Sequence, residues 1–382
     1  GNGNEEQMKK AVLVACFFMN LPSSRPKLVL DFLSQYYETS LITTDFSHSK
    51  RAYDNTVFDD VRKIHVPPYK GTFSVSRVWS HIIFALKVTK LIKREKPELL
   101  YVCLPPNLSG LRSAKLGKKL KAKVIVDIVD IWPNYNSAKN GMMKVIHNTW
   151  KGLRDKTVRI ADSVILECEL YRKFVDDQTK SIVIPLAKRE NAVNAGYSKE
   201  ENNSLIIGYL GAFSHSYDFD SLIEIASKLK KWSPRLEIIG EGERKQQILE
   251  MIDKAGIECK DYGAIYDETK KKEIMTRWHL GYNGYVEKAI VGQSYKSIEY
   301  LSCSVPLLNS LKADTWELVK ARKIGFNFVS NNSDVVSKAI EGTTFSQLKD
   351  MKRNARLVFE ELFSWDAYCE NMKQVLTRIG EL

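Results

Sequence analysis

The chain has 382 residues, of which 44% are hydrophobic and 27% charged, a composition typical of a globular protein long enough for two domains. No apolar run approaches the roughly 18 residues of a membrane-spanning helix, and the polar N-terminus has no hydrophobic stretch of a secretory signal. The six cysteines are scattered without CxxC spacing, which favours reduced thiols in a cytosolic protein over a disulfide framework.

The net charge of +12 is concentrated in part of the chain. Positions 112 to 159 contain twelve Lys and Arg residues and three Asp residues. Such a basic face suits an anionic membrane surface or a phosphorylated acceptor, or it is simply solvated. Because no nucleic-acid-binding signature with interleaved aromatic residues is present, we expect no nucleic-acid partner.

Short apolar runs alternate with longer helical patterns in the first half of the chain, which predicts an α/β fold with a parallel sheet. The predicted strands cover residues 10–18, 40–44, 98–104, 123–129, 163–167 and 182–184. The predicted helices cover residues 25–36, 75–94, 108–120 and 142–161. Polarity then rises over residues 188–204, which we interpret as a linker.

A second alternating set follows the linker. Its predicted strands cover residues 205–209, 235–239, 257–262 and 279–282, with another strand from Pro306. Its predicted helices cover residues 221–232, 244–255 and 268–278, with another helix from about Ser294. This order predicts two Rossmann-like domains that face each other across a cleft, and that cleft is the expected ligand site.

The segment from Gly292 to Leu308 combines a glycine turn, a helix start and a strand start. Turn amides and a helix N-terminus attract an anion, and Lys296 in the first helical turn is disfavoured by the helix dipole unless an anion is close. Glu299 follows Lys296 by three residues and shares its helix face. The arrangement suits a nucleotide diphosphate whose ribose needs an acceptor; a Lys296–Glu299 surface pair is the open alternative.

Three glycine or acidic motifs precede this segment in the second set. Gly211 ends the first strand of the second set and lets the backbone approach a ligand, or serves a tight turn alone. Gly240-Glu-Gly242 is an incomplete dinucleotide fingerprint, because a third glycine is missing. Asp218-Phe-Asp220 imitates a metal-binding DxD, but Asp220 precedes a helix and is interpreted as its N-cap. No metal spacing of His, Cys or Asp is present, so we expect no metal or cofactor.

Polar residues also follow two predicted strands of the first half. Asp127 and Asp130 lie at the end of one strand, where doubly wound sheets bind ligands, and Asp130 is the better candidate for chemistry unless it caps a turn before Pro133. After the first strand, Ser23, Ser24 and Arg25 are expected either to cap the next helix or to contact a sugar or phosphate.

Taken in order, these motifs resemble the GT-B-fold glycosyltransferases of family 4, in the branch that assembles bacterial surface polysaccharides. The resemblance covers most of the chain. The matching segments are residues 97–106, 127–133, 207–211, 238–242, 296–301 with Pro306, and 363–365.

The resemblance implies a nucleotide-sugar donor bound by the second domain, in a retaining reaction that needs no metal. Glu299 would hold the ribose, and the backbone at Gly263 and Ala264 would hold the base. The residues expected around the diphosphate are Gly211, His215, Gly240, Gly292, Ser294, Tyr295 and Lys296. Position 291, where the family has the first of two glutamates, is valine.

The acceptor would bind the first domain near Ser23, Ser24 and Arg25, with Asp130 as the catalytic group. The implied domains are residues 1–188 for the acceptor, residues 203–362 for the donor, and a helix over residues 363–382 that returns to the first domain. The expected acceptor is a lipid-linked glycan at the cytoplasmic membrane face. A noncatalytic GT-B partner subunit and a nucleotide-sugar 2-epimerase are the alternatives.

Overall fold

The structure is a computed structural model that describes residues 6–71, 74–131, 141–176, 180–190 and 204–382. The chain divides into two compact units. The first comprises Gly1–Pro185 and Cys369–Leu382, and the second comprises Leu186–Tyr368. Each unit is built on a parallel sheet with helices, which confirms the predicted α/β class and its two Rossmann-like domains.

The first unit has a parallel sheet of seven strands and a two-stranded antiparallel hairpin. The strands are β1 (Lys10–Val14), β2 (Glu38–Thr44), β3 (Phe46–Ser47), β4 (Ala52–Tyr53), β5 (Val61–Ile64), β6 (Leu99–Leu104), β7 (Lys123–Ile128), β8 (Ser163–Leu166) and β9 (Ser181–Val183). The helices are α1 (Arg25–Leu33), α2 (Val75–Glu95), α3 (Asn107–Lys119) and α4 (Gly141–Ile160). A 3₁₀ helix covers Glu169–Phe174.

The second unit has a parallel sheet of six strands. The strands are β10 (Ile206–Leu210), β11 (Arg235–Ile239), β12 (Glu258–Asp261), β13 (Leu280–Asn283), β14 (Leu307–Asn309) and β15 (Gly325–Asn327). The helices are α5 (Phe219–Lys228), α6 (Lys245–Lys254), α7 (Glu268–Met275), α8 (Tyr295–Ser302), α9 (Asp314–Arg322), α10 (Ser333–Glu341) and α11 (Phe345–Val358). The last helix, α12 (Trp365–Arg378), continues from the second unit into the residues that cluster with the first.

Both sheets have doubly wound strand orders. The first reads β5-β2-β1-β6-β7-β8-β9, and the second reads β12-β11-β10-β13-β14-β15. The order therefore reverses between β1 and β6 in one sheet and between β10 and β13 in the other. Such a reversal opens a crevice at the carboxyl ends of the strands, which is where ligands bind in this class of fold.

The central strands are apolar on both faces because helices cover both faces of a parallel sheet. All six residues of β6 (LLYVCL) are buried, and so are four of the five residues of β1. The apolar run of β1 continues in the sequence past Val14, where the strand ends. Phe17, in this continuation, packs against the ring of His48 with centroids 4.8 Å apart. The predicted strand over residues 10–18 is therefore too long.

The sequence patterns did not reveal every element. The edge strands β5 and β15 and the small hairpin have few buried residues, so their periodicity is weak.

Ser74 caps α2 by accepting a hydrogen bond from the Arg77 N–H at 3.2 Å. Within the described ranges, no helix combines the length and apolar character needed to cross a membrane.

Candidate functional site

The loops at the switch point of the second sheet are tied together by backbone hydrogen bonds. The Gly211 N–H donates to the Ile239 carbonyl at 3.0 Å, and the Phe213 N–H donates to the Glu241 carbonyl at 3.0 Å. Gly211 has a φ of 141° and Gly240 a φ of 147°. A Cβ at Gly240 would lie 1.9 Å from the Gly211 carbonyl oxygen, so this loop pairing requires glycine.

Helix α8 begins where the sequence predicted, with Ser294 as its N-cap. The Ser294 Oγ accepts from the Ser297 N–H at 3.1 Å and donates to Asn283 Oδ1 at 2.8 Å. The cap therefore fixes the helix N-terminus to the end of β13. Gly292 precedes it, and its carbonyl accepts from the Thr315 hydroxyl at 2.6 Å.

Three asparagines form a ladder across the ends of neighbouring strands. Asn283, Asn309 and Asn327 are the last residues of β13, β14 and β15 and stand opposite one another in the sheet register. Asn283 Nδ2 donates to Asn309 Oδ1 at 2.9 Å, and Asn309 Nδ2 donates to Asn327 Oδ1 at 2.9 Å. Asn283 and Asn309 are fully buried with their amides satisfied, so the ladder holds this edge of the sheet in register.

Lys296 lies in the first turn of α8 and is buried. Its Nζ donates to the Tyr209 hydroxyl at 3.1 Å. The same nitrogen lies 4.2 Å from the ring centroid of Tyr209, 3.6 Å from that of Tyr217 and 5.8 Å from that of Tyr285. A Cβ at Gly211 would lie 2.9 Å from the lysine Cε, so the glycine also gives this side chain its room.

The charge of Lys296 is poorly compensated. Burial lowers its pKa to about 7. In the part of the chain that the structure describes, no carboxylate oxygen lies within 4.0 Å of its Nζ. Helix dipole and desolvation both disfavour a cation here, whereas a bound anion would favour it. The position of Lys296 therefore suits an anion at the switch point of the sheet.

Glu299 faces a different set of groups from Lys296. Its Oε2 lies 3.1 Å from Lys271 Nζ and 3.7 Å from Lys188 Nζ. The open alternative of a Lys296–Glu299 surface pair is therefore not what the structure shows. Two lysines already hold the glutamate in place, and its side chain is only 12% exposed.

The other residues predicted around the donor differ in their exposure and in their hydrogen-bond partners. The Gly263 N–H donates to Asp261 Oδ1 at 2.9 Å, and its carbonyl accepts from the Gly240 N–H at 2.9 Å. Ala264 next to it is exposed, and Tyr295 is half-buried in the first turn of α8. His215 is 77% exposed, with its Nε2 3.6 Å from Glu243 Oε1.

In the first unit, Arg25 and Asp127 form a buried bidentate pair. Arg25 Nε donates to Asp127 Oδ2 at 2.9 Å and Nη2 donates to Oδ1 at 3.1 Å, while Nη1 donates to the Ile184 carbonyl at 2.8 Å. The Tyr101 hydroxyl also donates to Asp127, at 2.5 Å. The guanidinium is thus committed to the core, which differs from the sugar or phosphate contact expected for Arg25.

The serines of the same loop lie nearer the surface. Ser23 and Ser24 are half-buried, and Ser24 precedes α1 as its N-cap. The Ser24 hydroxyl donates to the Met19 carbonyl at 2.6 Å and makes no capping bond to the helix. It stabilises the loop that follows β1.

Asp130 lies just beyond β7, at the carboxyl edge of the first sheet, with its Oδ1 2.8 Å from the Ile131 N–H. Desolvation raises the pKa of Asp130, while that N–H and the Arg77 guanidinium favour its ionised form.

Glu167, the residue after β8, was missed by the sequence analysis. Desolvation raises its pKa to about 8, and the charges of Asp127 and Asp130 act in the same direction. Two carboxyl groups with raised pKa values thus lie at neighbouring strand ends.

The Asp218-Phe-Asp220 motif is a helix cap. Asp218, and not the predicted Asp220, is the N-cap of α5, since its side chain accepts from the Ser221 N–H at 3.0 Å. Its second oxygen accepts from the Ser330 hydroxyl at 2.7 Å. Across the residues that the structure describes, no group of three or more His, Cys, Asp or Glu side chains is placed to hold a metal ion.

The comparisons with known proteins agree with the motifs. Residues 194–358 match the family described as "Glycosyl transferases group 1". A comparison with curated protein sequences gives no significant match.

Solved structures show the fold of the whole chain. The structure is similar to that of Anabaena Alr3699/HepE in complex with UDP, with a TM-score of 0.70, 14% identity and coverage of 97% of this chain and 100% of that one. It is similar to sucrose-phosphate synthase from Thermosynechococcus elongatus, with a TM-score of 0.68, 12% identity and coverage of 97% and 99%.

A third similar structure is WaaG, a glycosyltransferase involved in lipopolysaccharide biosynthesis, with a TM-score of 0.63, 11% identity and coverage of 97% of this chain and 100% of that one. At these identities the likeness establishes the fold, and the family match covers residues 194–358. The chain therefore has the GT-B fold, and residues 194–358 within its second unit are similar to the group 1 glycosyltransferases.

Proposed function

We propose that the protein transfers a sugar from a nucleotide-sugar donor to a lipid-linked glycan acceptor in surface polysaccharide synthesis. The observation that carries the donor assignment is the buried Lys296 ammonium at the switch point, which has no carboxylate partner among the described residues. The structures of Alr3699/HepE with UDP and with UDP-glucose support a uridine diphosphate donor.

In the proposed complex, the diphosphate lies between the N-terminus of α8 and the loop after β10. Lys296 and the amides near Ser294 and Tyr295 stabilise the negative charge that grows on the leaving diphosphate. Gly211 gives the phosphates access to the backbone. Because Lys296 is already desolvated and its position is set by tyrosines, little reorganisation accompanies the reaction.

Glu299 is proposed to bind the ribose hydroxyls, with Lys271 and Lys188 holding the carboxylate in place. The base is proposed to contact the backbone at Gly263 and Ala264. Since both backbone polar groups of Gly263 have partners within the protein, the groups of Ala264 are the better candidates for base contacts.

The acceptor is proposed to bind the first unit near Ser23 and Ser24, with Asp130 orienting or deprotonating the attacking hydroxyl. Arg25 is not included among the acceptor contacts, because its donors are used in the core. A polysaccharide pathway is supported by the likeness to WaaG and by the motifs in residues 97–106 and 127–133.

A peripheral position on the cytoplasmic membrane face would bring a lipid-linked acceptor within reach. The exposed side of α3 carries a basic stripe, defined here as Arg112, Lys115, Lys118 and Lys119. Met142 is 74% exposed and Val145 65% exposed at the start of α4. Cationic and apolar side chains together suit anionic lipid, because each Lys or Arg near such a surface adds about 1 kcal/mol.

The function is tested by incubating the protein with a panel of UDP-, GDP- and ADP-sugars, with and without a lipid-linked glycan, and by measuring release of nucleotide diphosphate. We expect turnover with a UDP-sugar that depends on the acceptor. Binding of UDP without turnover of any donor would favour the noncatalytic alternative, and formation of a 2-epimer of the sugar would favour the epimerase. Binding of no nucleotide diphosphate would contradict the donor assignment.

A further inference from the structure

Asp45 and His65 are the first residues after two neighbouring strands of the first sheet. Asp45 follows β2 and His65 follows β5, and these parallel strands pair with Thr44 opposite Ile64. Both residues therefore lie at the carboxyl edge of the sheet, which also carries Asp130 after β7. Because doubly wound sheets bind ligands at this edge, the pair is on the ligand-binding side of the first unit.

The two side chains form a hydrogen-bonded pair. His65 Nδ1 lies 2.6 Å from Asp45 Oδ2, and the Val66 N–H donates to Asp45 Oδ1 at 3.2 Å. A carboxylate only accepts hydrogen bonds, so Nδ1 carries the hydrogen and donates it to Asp45. In the neutral imidazole the free lone pair is then on Nε2, which is the atom able to accept a further hydrogen bond.

The imidazole is also held at its ring face and through its backbone. The ring of Tyr53 stacks on it, with centroids 5.3 Å apart and an interplanar angle of 23°. The Tyr53 hydroxyl donates to the Val66 carbonyl at 2.8 Å, and Lys87 Nζ donates to the His65 carbonyl at 2.8 Å. These contacts orient the imidazole in advance, which reduces the conformational entropy lost when a ligand binds.

The pair is exposed on one side only. Asp45 is buried, whereas the side chain of His65 is 70% exposed. In the part of the chain that the structure describes, His65 Nε2 makes no hydrogen bond to another residue. A nucleophilic triad would need a hydroxyl or thiol paired with this nitrogen, and no described residue supplies one. Nε2 is therefore available to a ligand.

The surroundings of His65 suit a sugar. Tyr53 is 41% exposed beside the imidazole, so an aromatic ring and a hydrogen-bond acceptor are presented together. Sugars have apolar C–H surfaces that can pack on aromatic rings and hydroxyl groups that donate to such an acceptor. The pairing of a carboxylate with the imidazole leaves no anion site here, which favours a neutral sugar over a charged one.

The subsite is distant from Asp130. In the order β5-β2-β1-β6-β7, four strand spacings of about 4.8 Å separate β5 from β7, or about 19 Å in total. One sugar ring is too small to contact both His65 and Asp130. A glycan that reaches both residues must contain several sugar units.

We propose that His65, Asp45 and Tyr53 form a subsite for a neutral sugar of the acceptor glycan, remote from the sugar that accepts the transferred residue. His65 Nε2 accepts a hydrogen bond from a sugar hydroxyl, and Asp45 is a positioning residue that fixes the tautomer. The inference rests on the proposed function, because it assigns a glycan acceptor to the first unit. It adds a length requirement, since only an oligosaccharide extends from Asp130 to this subsite.

The test measures binding of the full chain to a printed array of neutral glycans from monosaccharides to hexasaccharides, with saturating UDP in the donor site. Calorimetric titration then gives the Kd of each glycan that binds. We expect the parent to bind at least one oligosaccharide. In His65→Phe, which keeps a ring against Tyr53 but removes both nitrogens, that Kd should rise by about tenfold or more. His65→Gln, whose amide can replace Nε2, should lose less, and Lys90→Gln, an exposed substitution on α2, should bind like the parent.

Thermal melts without glycan separate binding from folding. Because the His65 side chain is exposed, both of its variants should melt close to the parent temperature. Asp45→Asn should weaken glycan binding in the same direction as His65→Phe, because the tautomer is no longer fixed. A lower melting temperature with equal loss of affinity in both His65 variants would place the effect on the fold and overturn the proposal.

The remaining outcomes separate the subsite from the proposed function. Unchanged glycan affinity in His65→Phe would refute the subsite and leave the glycan acceptor standing. If the parent binds UDP but none of the oligosaccharides, both the subsite and the glycan acceptor are wrong and the donor assignment stands. UDP binding without glycan is measured in parallel, and its absence would refute the donor assignment itself.

Discussion

The Nζ of Lys296 lies 3.6 Å from the ring centroid of Tyr217. The lysine lies in the first turn of α8, which follows β13, and the tyrosine lies in the loop after β10. The contact therefore connects the segments that follow the two central strands, where the sheet order reverses. A cation against aromatic faces is attracted by the ring quadrupole, but this attraction replaces only part of the lost hydration. We therefore expect a bound anion to stabilise the site.

The first prediction concerns Lys296→Met, which keeps the length of the side chain and removes its charge. UDP affinity should fall by about tenfold or more, because a charged hydrogen bond contributes about 1.5–3 kcal/mol. The ligand-free variant should be at least as stable as the parent, since a desolvated cation is gone. Calorimetric titration and thermal melts measure the two effects, with Lys312→Met as the exposed control. Unchanged UDP affinity would remove Lys296 from the donor site.

The second prediction is the pH dependence of the same site. Burial lowers the pKa of Lys296 from 10.5 to about 7, so between these values the unfolded chain binds more protons than the folded one. The free energy of unfolding should thus rise with pH from about 7 to 10.5 in the parent relative to Lys296→Met. UDP affinity should do the opposite and fall above pH 7, because the anion selects the protonated lysine. Parallel pH profiles in the parent and the variant would refute this coupling.

The third prediction tests Glu299 as the ribose-binding residue. Glu299→Gln preserves the size of the side chain but weakens the contacts to Lys271 and the ribose. UDP should bind more weakly by about 1.5–3 kcal/mol for each charged hydrogen bond lost, whereas 2′,3′-dideoxy-UDP, which lacks the hydroxyls, should bind parent and variant almost equally. Calorimetric titration of both nucleotides gives the comparison. If the substitution weakened both nucleotides to the same extent, Glu299 would act on the fold and not on the ribose.

The fourth prediction concerns catalysis by Asp130. Asp130→Asn keeps the size of the side chain and removes its charge, so transfer should fall by about a hundredfold or more if the carboxylate acts as a base. The Kd of UDP should not change, because the donor site is in the other unit. Steady-state transfer and UDP titration are measured separately. An Asn variant with full transfer activity would leave Asp130 as a turn-forming residue.

The fifth prediction concerns membrane docking by the basic stripe. Lys115→Glu with Lys119→Glu reverses two exposed charges on α3 and should reduce co-sedimentation with liposomes that contain acidic lipid. Binding of the parent should also fall as salt rises. Lys312→Glu with Lys320→Glu, an equal charge change on the second unit, is the matched control. Binding that ignored lipid charge and salt would show that the stripe is only solvated.

The fold and the start of α8 follow from local patterns, and the sequence predicted both. Continuous apolar runs define the central strands, and a serine before a helical period defines the cap. The contacts of Lys296 could not be predicted in this way, because Tyr209 reaches it from β10, Tyr217 from the loop after β10 and Tyr285 from the loop after β13. The core pairing of Arg25 was missed for the same reason: Arg25 begins α1, and its partner Asp127 lies about a hundred residues away in sequence, on β7. Edge strands such as β5 bury too little to produce a clear period.

Some missed residues did leave a signal in the sequence. Strands β13, β14 and β15 each end in an asparagine, at positions 283, 309 and 327. Parallel strands bring their carboxyl ends to one edge of the sheet, so these side chains are expected to be neighbours. Glu167 likewise follows β8, as Asp130 follows β7. A comparison of strand-final residues across the sheet would have found both sets.

The asparagine ladder has a consequence for how fast and how tightly nucleotide binds. It joins three strand ends to the cap of α8 through buried side-chain hydrogen bonds, so we expect the proposed donor site to be ordered before ligand binds. A site that loses little conformational entropy on binding converts more of its contact energy into affinity. The Ser297 amide, whose hydrogen bond belongs to this framework, should then exchange its hydrogen slowly even without ligand. The rate at which one donor replaces another would then be set by the dissociation of nucleotide diphosphate from this pre-ordered site.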